Sequence, residues 1–348
     1  MSVSGVDVSI GVRELTRRLE SCPDLAGDML KAPAPAAAES LPREFVVTGV
    51  GSSAAHARLL AHLFAEYTDI RALFAPLSRF YGPLPVTWRE RGLAVFSQGL
   101  SPNVTLAIQQ ACRFERCIVF TAVGSSRAGA RTQDHERLRS VPELEFVHFP
   151  LEDEYTTLMR VVGPLLGCLA ALRYVERVAP GALCAVSAEQ VVRALENARQ
   201  QGVRFAECAQ VVRNAEVAFL ACSPWPELGS NLQSKFVEGL FWPQPPIWDV
   251  LEFAHGPYQQ WLTRKRPVMI LESEPNELLE RARSMLEPEF THTLRASLPG
   301  AYALLEFEYA ISWMVVKLIE RFGVDQIAWP GRGSDGPLYD YARSGANC

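Results

Sequence analysis

The chain is 348 residues long, more than one typical domain, and the length suggests two. Its formal net charge is −5 and it has only four lysines (Lys31, Lys235, Lys265, Lys317), so it lacks the basic stripe of a nucleic-acid-coating surface. The eight cysteines are scattered and form no C-x-x-C pair, which argues against a zinc site of the usual spacing and fits reduced thiols in a cytoplasmic protein.

The N-terminus has no apolar core of the signal-peptide kind. Residues 1–40 begin with an amphipathic helix (Val12, Leu15, Leu19) and continue into a Pro/Ala stretch, Ala32 to Ala38, that reads as a linker. From Phe45 onward strands and helices alternate. Strand Phe45–Thr48 precedes helix 54–66, and a Pro-rich connection through Pro76, Pro83 and Pro85 follows. Strand Leu93–Phe96 leads through Ser97–Pro102 to helix 103–112, and strand Cys117–Val123 ends at Gly124. Strand Leu144–Phe149 is followed by an apolar helix from about 156 to 178. Its longest apolar run, Val161 to Leu172, contains Gly and Pro and is too short to span a bilayer, so a membrane is not an expected partner.

The programme then restarts near Pro180-Gly181. Helix 188–214 precedes strand Val217–Cys222, and helix 230–239 follows a Ser223–Gly229 loop. Ile247–Phe253, strand Val268–Leu271, helix 276–286, strand Phe290–Leu294 and helix 301–322 complete the half. Short apolar strands alternating with helices are what parallel sheets covered on both faces produce. The expectation is therefore an α/β protein of two domains, each a parallel sheet flanked by helices. Residues 1–40 form the helix and linker, 41–185 and 186–328 the domains, and 329–348 a tail.

The most informative stretch is Val47-Thr48-Gly49-Val50-Gly51-Ser52-Ser53. Glycines let a strand turn sharply into a helix, whose first N–H groups suit an anion or a sugar hydroxyl. The dinucleotide fingerprint G-x-G-x-x-G is not met, because Ala54 stands at the third glycine position, and no nicotinamide cofactor is called for. In open parallel sheets, ligands collect beyond the carboxyl ends of the strands. Here those loops are Gly49–Ser53, Ser97–Asn103, Gly124–Arg127, Glu152–Tyr155 and Ser223–Ser230. A serine or asparagine in such a loop is equally a helix cap.

Three segments resemble the double-domain sugar isomerase (SIS) family, which includes the isomerase half of glucosamine-6-phosphate synthase and the fructosamine deglycases. Gly49-Val50-Gly51-Ser52-Ser53 is similar to its first sugar-binding turn, and Phe96-Ser97-Gln98 with Thr105-Leu106 to its Ser-Gln-Ser-Gly-x-Thr loop. Glu252-Phe253-Ala254-His255-Gly256-Pro257, after Glu238-Gly239-Leu240, is similar to its Glu-Leu-x-His-Gly-Pro signature. The resemblance implies a sugar held by Gly51, Ser52, Ser53, Ser97, Gln98, Ser101, Asn103 and Glu252. It further implies a glutamate, Glu152 or Glu154, that moves a proton through an enediol. His255 would help to open the ring, lent by the partner subunit of a homodimer with shared active sites. No cofactor or metal is implied.

The departures from the family pattern are informative. Gly99 and Pro102 replace a hydroxyl and a threonine of the phosphate loop, and Pro102 has no N–H to offer a phosphate oxygen. The tail from Ala328 to Tyr339 has no lysine for an imine, although Arg332, Asp335 and Tyr339 could still serve a lid. The expected function is isomerisation, deglycation or elimination on a sugar, an amino sugar or a sugar–amine adduct, with a standard 6-phosphate disfavoured. A non-catalytic sugar-binding or regulatory protein is the alternative.

Overall fold

The apolar runs form two all-parallel sheets. The computed structural model describes residues 8–33, 41–124, 144–151, 154–334 and 336–339. These fall into two units that are each discontinuous in sequence. One holds the described parts of Asp28–Glu154, Val162–Ala185 and Trp329–Cys348. The other holds those of Met1–Gly27, Tyr155–Val161 and Val186–Ala328. A helix expected from about 156 in fact begins at Val162; residues 155–161 belong to the second unit.

In the first unit, β1 (Glu44–Thr48), β2 (Arg71–Phe74), β3 (Gly92–Phe96), β4 (Arg116–Thr121) and β5 (Leu144–His148) lie in the order β2-β1-β3-β4-β5. Side chains alternate across a strand, so each apolar run supplies both faces. Val46, Leu93, Val95, Cys117 and Val119 share one core with Phe80, Trp88 and Phe114. On the other face Phe96 and Phe120 stack at 4.1 Å, and Phe120 meets Tyr174 edge-on at 5.2 Å. Tyr174 comes from the helix Val162–Val178, which packs with the helix Ser52–Tyr67. Burial of one such aromatic contributes about 1.5–3 kcal/mol.

Strand β2 is the element the sequence reading misses. It is a four-residue edge strand with Arg71 and Leu73 exposed, so it shows no apolar run. The helix expected over 103–112 is instead a 3-10 turn, Pro102–Val104, a four-residue α-helix, Thr105–Ile108, and a second 3-10 turn, Ala111–Arg113.

In the second unit, β6 (Ala218–Ala221), β7 (Ile247–Asp249), β8 (Val268–Glu272) and β9 (Thr291–Arg295) are ordered β7-β6-β8-β9. Leu220, Val268 and Ile270 pack on Phe253, Trp261 and Leu279. Helix Ala303–Phe322 runs against Ala188–Ala206 and Ser230–Leu240. The helix expected over 188–214 stops at Ala206 and resumes as Ala209–Asn214. The first helix, Ser9–Lys31, is longer than its apolar pattern suggests, and the Tyr309 hydroxyl donates to its Leu19 carbonyl at 2.9 Å.

Lys235 and Glu308 form an ion pair of 2.5 Å inside this unit, with their side chains only 2 % and 1 % exposed. The Lys235 ammonium also donates to the Arg160 carbonyl at 3.1 Å. Removing one partner of such a pair strands a buried charge, whereas removing both does not. Lys235→Met should therefore cost about 3–5 kcal/mol in chemical denaturation, and Lys235→Met with Glu308→Leu should recover most of that loss. Additive losses in the double variant would contradict the pairing.

Candidate active site

β1 and β3 run parallel, and the order in which strands are added to the sheet reverses between them. A crevice opens beyond their carboxyl ends at such a switch point. The two loops that leave these strands are Gly49–Ser53 and Ser97–Asn103.

The first loop is built by two glycines with different tasks. A Cβ on Gly49 would stand 2.4 Å from the Ser53 carbonyl oxygen, so the helix can begin here only against a bare Cα. Gly51 has φ 59° and ψ −131°, a conformation that favours glycine. Ser52 opens the helix, and Ser53 is buried, with its N–H donating to the Val50 carbonyl.

The second loop is largely bonded to itself. The Ser97 hydroxyl accepts the Ser101 N–H at 3.2 Å, the Ser101 hydroxyl donates to Asn103 Oδ1 at 2.7 Å, and the Thr105 hydroxyl donates to the Pro102 carbonyl at 2.5 Å. The Gln98 carbonyl accepts the Ala122 N–H, which ties the loop to the end of β4.

Glu154 sits beside this loop and is 1 % exposed. Its Oε1 accepts the Val162 N–H and its Oε2 the Gly163 N–H, each at 2.8 Å, so both oxygens cap the helix Val162–Val178. Gln98 Nε2 donates to Oε2 at 3.1 Å. Glu152, the other carboxylate expected here, lies outside the described residues, as do Ser125 to Arg127. His56 is buried on the same helix as Ser53, with Nε2 2.8 Å from the Pro164 carbonyl oxygen and its ring 5.7 Å from that of Phe96; its place is in the packing.

Glu252 and His255 belong to the second unit. Both are exposed in a 3-10 turn, Glu252–Ala254, and at its end. Asp249 Oδ1 accepts the Leu251 N–H, and the His255 N–H donates to the Glu252 carbonyl. Gly256 then takes φ 119° and Pro257 opens the helix Pro257–Thr263, which fixes the backbone on which His255 is carried.

Glu238, the first residue of the expected Glu-Gly-Leu, lies in the second unit. This half-buried carboxyl stands among Lys235, Arg160 and Glu308. Burial pushes its pKa up; Lys235 and Arg160 oppose the shift and Glu308 adds to it. The Gln326 amide donates to the Glu238 and Gly239 carbonyls at 3.2 and 3.0 Å, holding the helix end that bears it. Among the described residues no cluster of His, Cys, Asp and Glu could hold a metal ion, and no helix is long and apolar enough to cross a membrane. None of the seven described cysteines forms a disulfide.

No family model matches the chain, and no curated protein matches it in sequence. Solved structures do match. Glucosamine-6-phosphate deaminase from Thermotoga maritima is 19% identical with a TM-score of 0.68, over 92% of this chain and 97% of that one. The C-terminal domain of glucosamine-fructose-6-phosphate aminotransferase from Francisella tularensis is 13% identical with a TM-score of 0.67, over 94% and 100%. A Silicibacter pomeroyi protein described as a phosphosugar isomerase is 14% identical with a TM-score of 0.69, over 90% and 99%. The fold is thus the α/β fold of SIS-type domains, as the three motifs imply.

The first turn offers a direct check on its geometry. Gly51→Ala should destabilise the protein by about 1–3 kcal/mol in denaturant titration, because alanine is strained at this φ and ψ. A loss below about 0.5 kcal/mol would show that the turn tolerates a side chain.

Proposed function

We propose that this chain, with the fold of paired sugar-isomerase domains, is an enzyme that acts on a sugar, an amino sugar or a sugar–amine adduct through an enediol-type intermediate. Its substrate in this reading is not a standard sugar 6-phosphate. The observation that carries the proposal is the meeting of the Gly51-Ser52-Ser53 turn and the Ser97-Gln98 loop at the β1/β3 switch point, where small polar groups surround a crevice edge.

The loop chemistry supports the substrate class. The described structural neighbours named above include enzymes of phosphorylated sugars. Here, though, the hydroxyls of Ser97, Ser101 and Thr105 are engaged inside the loop, and the helix beyond Pro102 has only four residues. Two charge-assisted hydrogen bonds fewer to a dianion weaken its binding by about 3–6 kcal/mol. The C-terminal turn Gly336–Tyr339 packs near Pro102–Val104, which suits a cover over this loop.

A proton shuttle needs a carboxyl with a pKa near the working pH. Glu154 stands beside Gln98 with both oxygens accepting backbone N–H groups, and Glu152 lies outside the described residues. The proposed acid–base group is therefore Glu152 or Glu154, and the second proton-transfer group is His255, contributed by the partner subunit of a homodimer. The engaged state of Glu154 favours, as the second reading, a sugar-binding protein without turnover.

Thermal-shift measurements should show stabilisation by unphosphorylated sugars or amino sugars; a large shift confined to 6-phosphates would overturn the substrate class. His255→Ala and Glu154→Gln should each lower turnover by about 10²–10⁴-fold while ligand-induced stabilisation persists. Absence of turnover in the wild type would leave the binding-protein reading. Mixing the two inactive variants should restore activity if two chains share a site; no recovery despite subunit exchange refutes sharing.

A further inference from the structure

We propose that Glu154 is a positioning residue that orients the Gln98 amide, so that the crevice prefers hydroxyl- and ammonium-bearing sugars to their phosphate esters. This deepens the sugar reading above and rests on it. An amide has a donor end and an acceptor end, and a carboxylate beside it decides which end faces where. Gln98 Nε2 donates to Glu154 Oε2 at 3.1 Å, since the opposite sense would set two acceptors against each other. One N–H of the amide, the group that would serve a phosphate oxygen, is thereby committed to the buried carboxylate. The carbonyl end lies over Gly163 and keeps acceptor capacity, which suits a hydroxyl or an ammonium and not a phosphate oxygen, so that one N–H of the amide is all it could still offer an anion.

Two further observations show that this arrangement is held in place. Glu154 is itself fixed by the Val162 and Gly163 N–H groups at 2.8 Å, so the start of the helix Val162–Val178 already carries the chain's own anion. The Gln98 amide lies over Gly163, where a Cβ would stand 2.0 Å from Oε1 and 2.4 Å from Cδ. Only glycine leaves room for the amide in this position. Among the described residues of the loops 49–53, 97–105, 121–124 and 149–151 there is no lysine or arginine to meet a phosphate.

The test compares the affinities of the full-length protein for D-glucosamine and D-glucosamine 6-phosphate by calorimetry. The wild type should bind D-glucosamine at least about tenfold more tightly than its 6-phosphate. Gly163→Ala, which displaces the amide while leaving the Glu154 side chain in the sequence, and Glu154→Gln should each bring that ratio towards one. Gln98→Ala should do the same, and Gly163→Ala with Gln98→Ala should change the ratio no further. A purely structural role would lower the thermal midpoint and leave the ratio alone. Folded Gly163→Ala and Gln98→Ala variants with the wild-type ratio would overturn the inference, as would a wild type that prefers the 6-phosphate. Should the wild type bind neither sugar nor ester, the sugar reading itself fails and takes this inference with it.

Discussion

A carboxylate sealed from water has to be met by donors, and the first unit is arranged around one that is. Glu154 receives two backbone N–H groups from a helix start and one from the Gln98 side chain. These bonds determine where the helix Val162–Val178 begins and which way the amide of the Ser97-Gln98 loop is turned. A helix N-terminus with unpaired N–H groups attracts anions. By filling that position itself, the chain changes what the neighbouring crevice can attract.

The second unit uses the same device with the parts exchanged. Glu306, fully buried in the first turn of the helix Ala303–Phe322, accepts the Ser297 and Leu298 N–H groups and the Ser297 hydroxyl. Here the helix supplies the carboxylate and the loop after β9 supplies the donors. Burial pushes the Glu306 pKa up, and the backbone N–H of Leu298, then that of Ser297, pull against it. In both units a glutamate thus fixes the passage from the last strand to the long helix, while only the first has hydroxyl-bearing glycine turns at its switch point. At the second switch point the Trp225 indole N–H donates to the Ser273 hydroxyl at 3.1 Å, joining the loops after β6 and β8.

Another group of charges is enclosed beside the helix Ser230–Leu240. The Lys235–Glu308 pair and the Glu238 carboxyl lie within one stretch of helix packing, where Lys235 opposes and Glu308 adds to the rise that burial gives the Glu238 pKa. A cluster of that kind costs solvation free energy and is retained where its protonation matters or where it fixes one packing arrangement.

The central strands and the two-sheet plan were legible in the sequence because a strand buried on both faces must be continuously apolar, as Val46, Leu93–Phe96 and Ile118–Phe120 are. The glycine turn was legible for a local reason as well, since φ at Gly51 and the close approach at Gly49 leave no other residue type at ease. Edge strand β2, the broken helix after Pro102 and the excursion of residues 155–161 into the other unit were not, because partial exposure, 3-10 turns and chain path leave no periodic signal. The roles of the carboxylates belong to the same class. Glu152, Glu154 and Glu238 are alike as letters, and only packing distinguishes a carboxyl held by helix N–H groups from one left with a raised pKa among buried charges. Local composition determines which segments must be strands and turns; the partners of a buried charge come from residues distant in sequence, and so only the tertiary structure decides them.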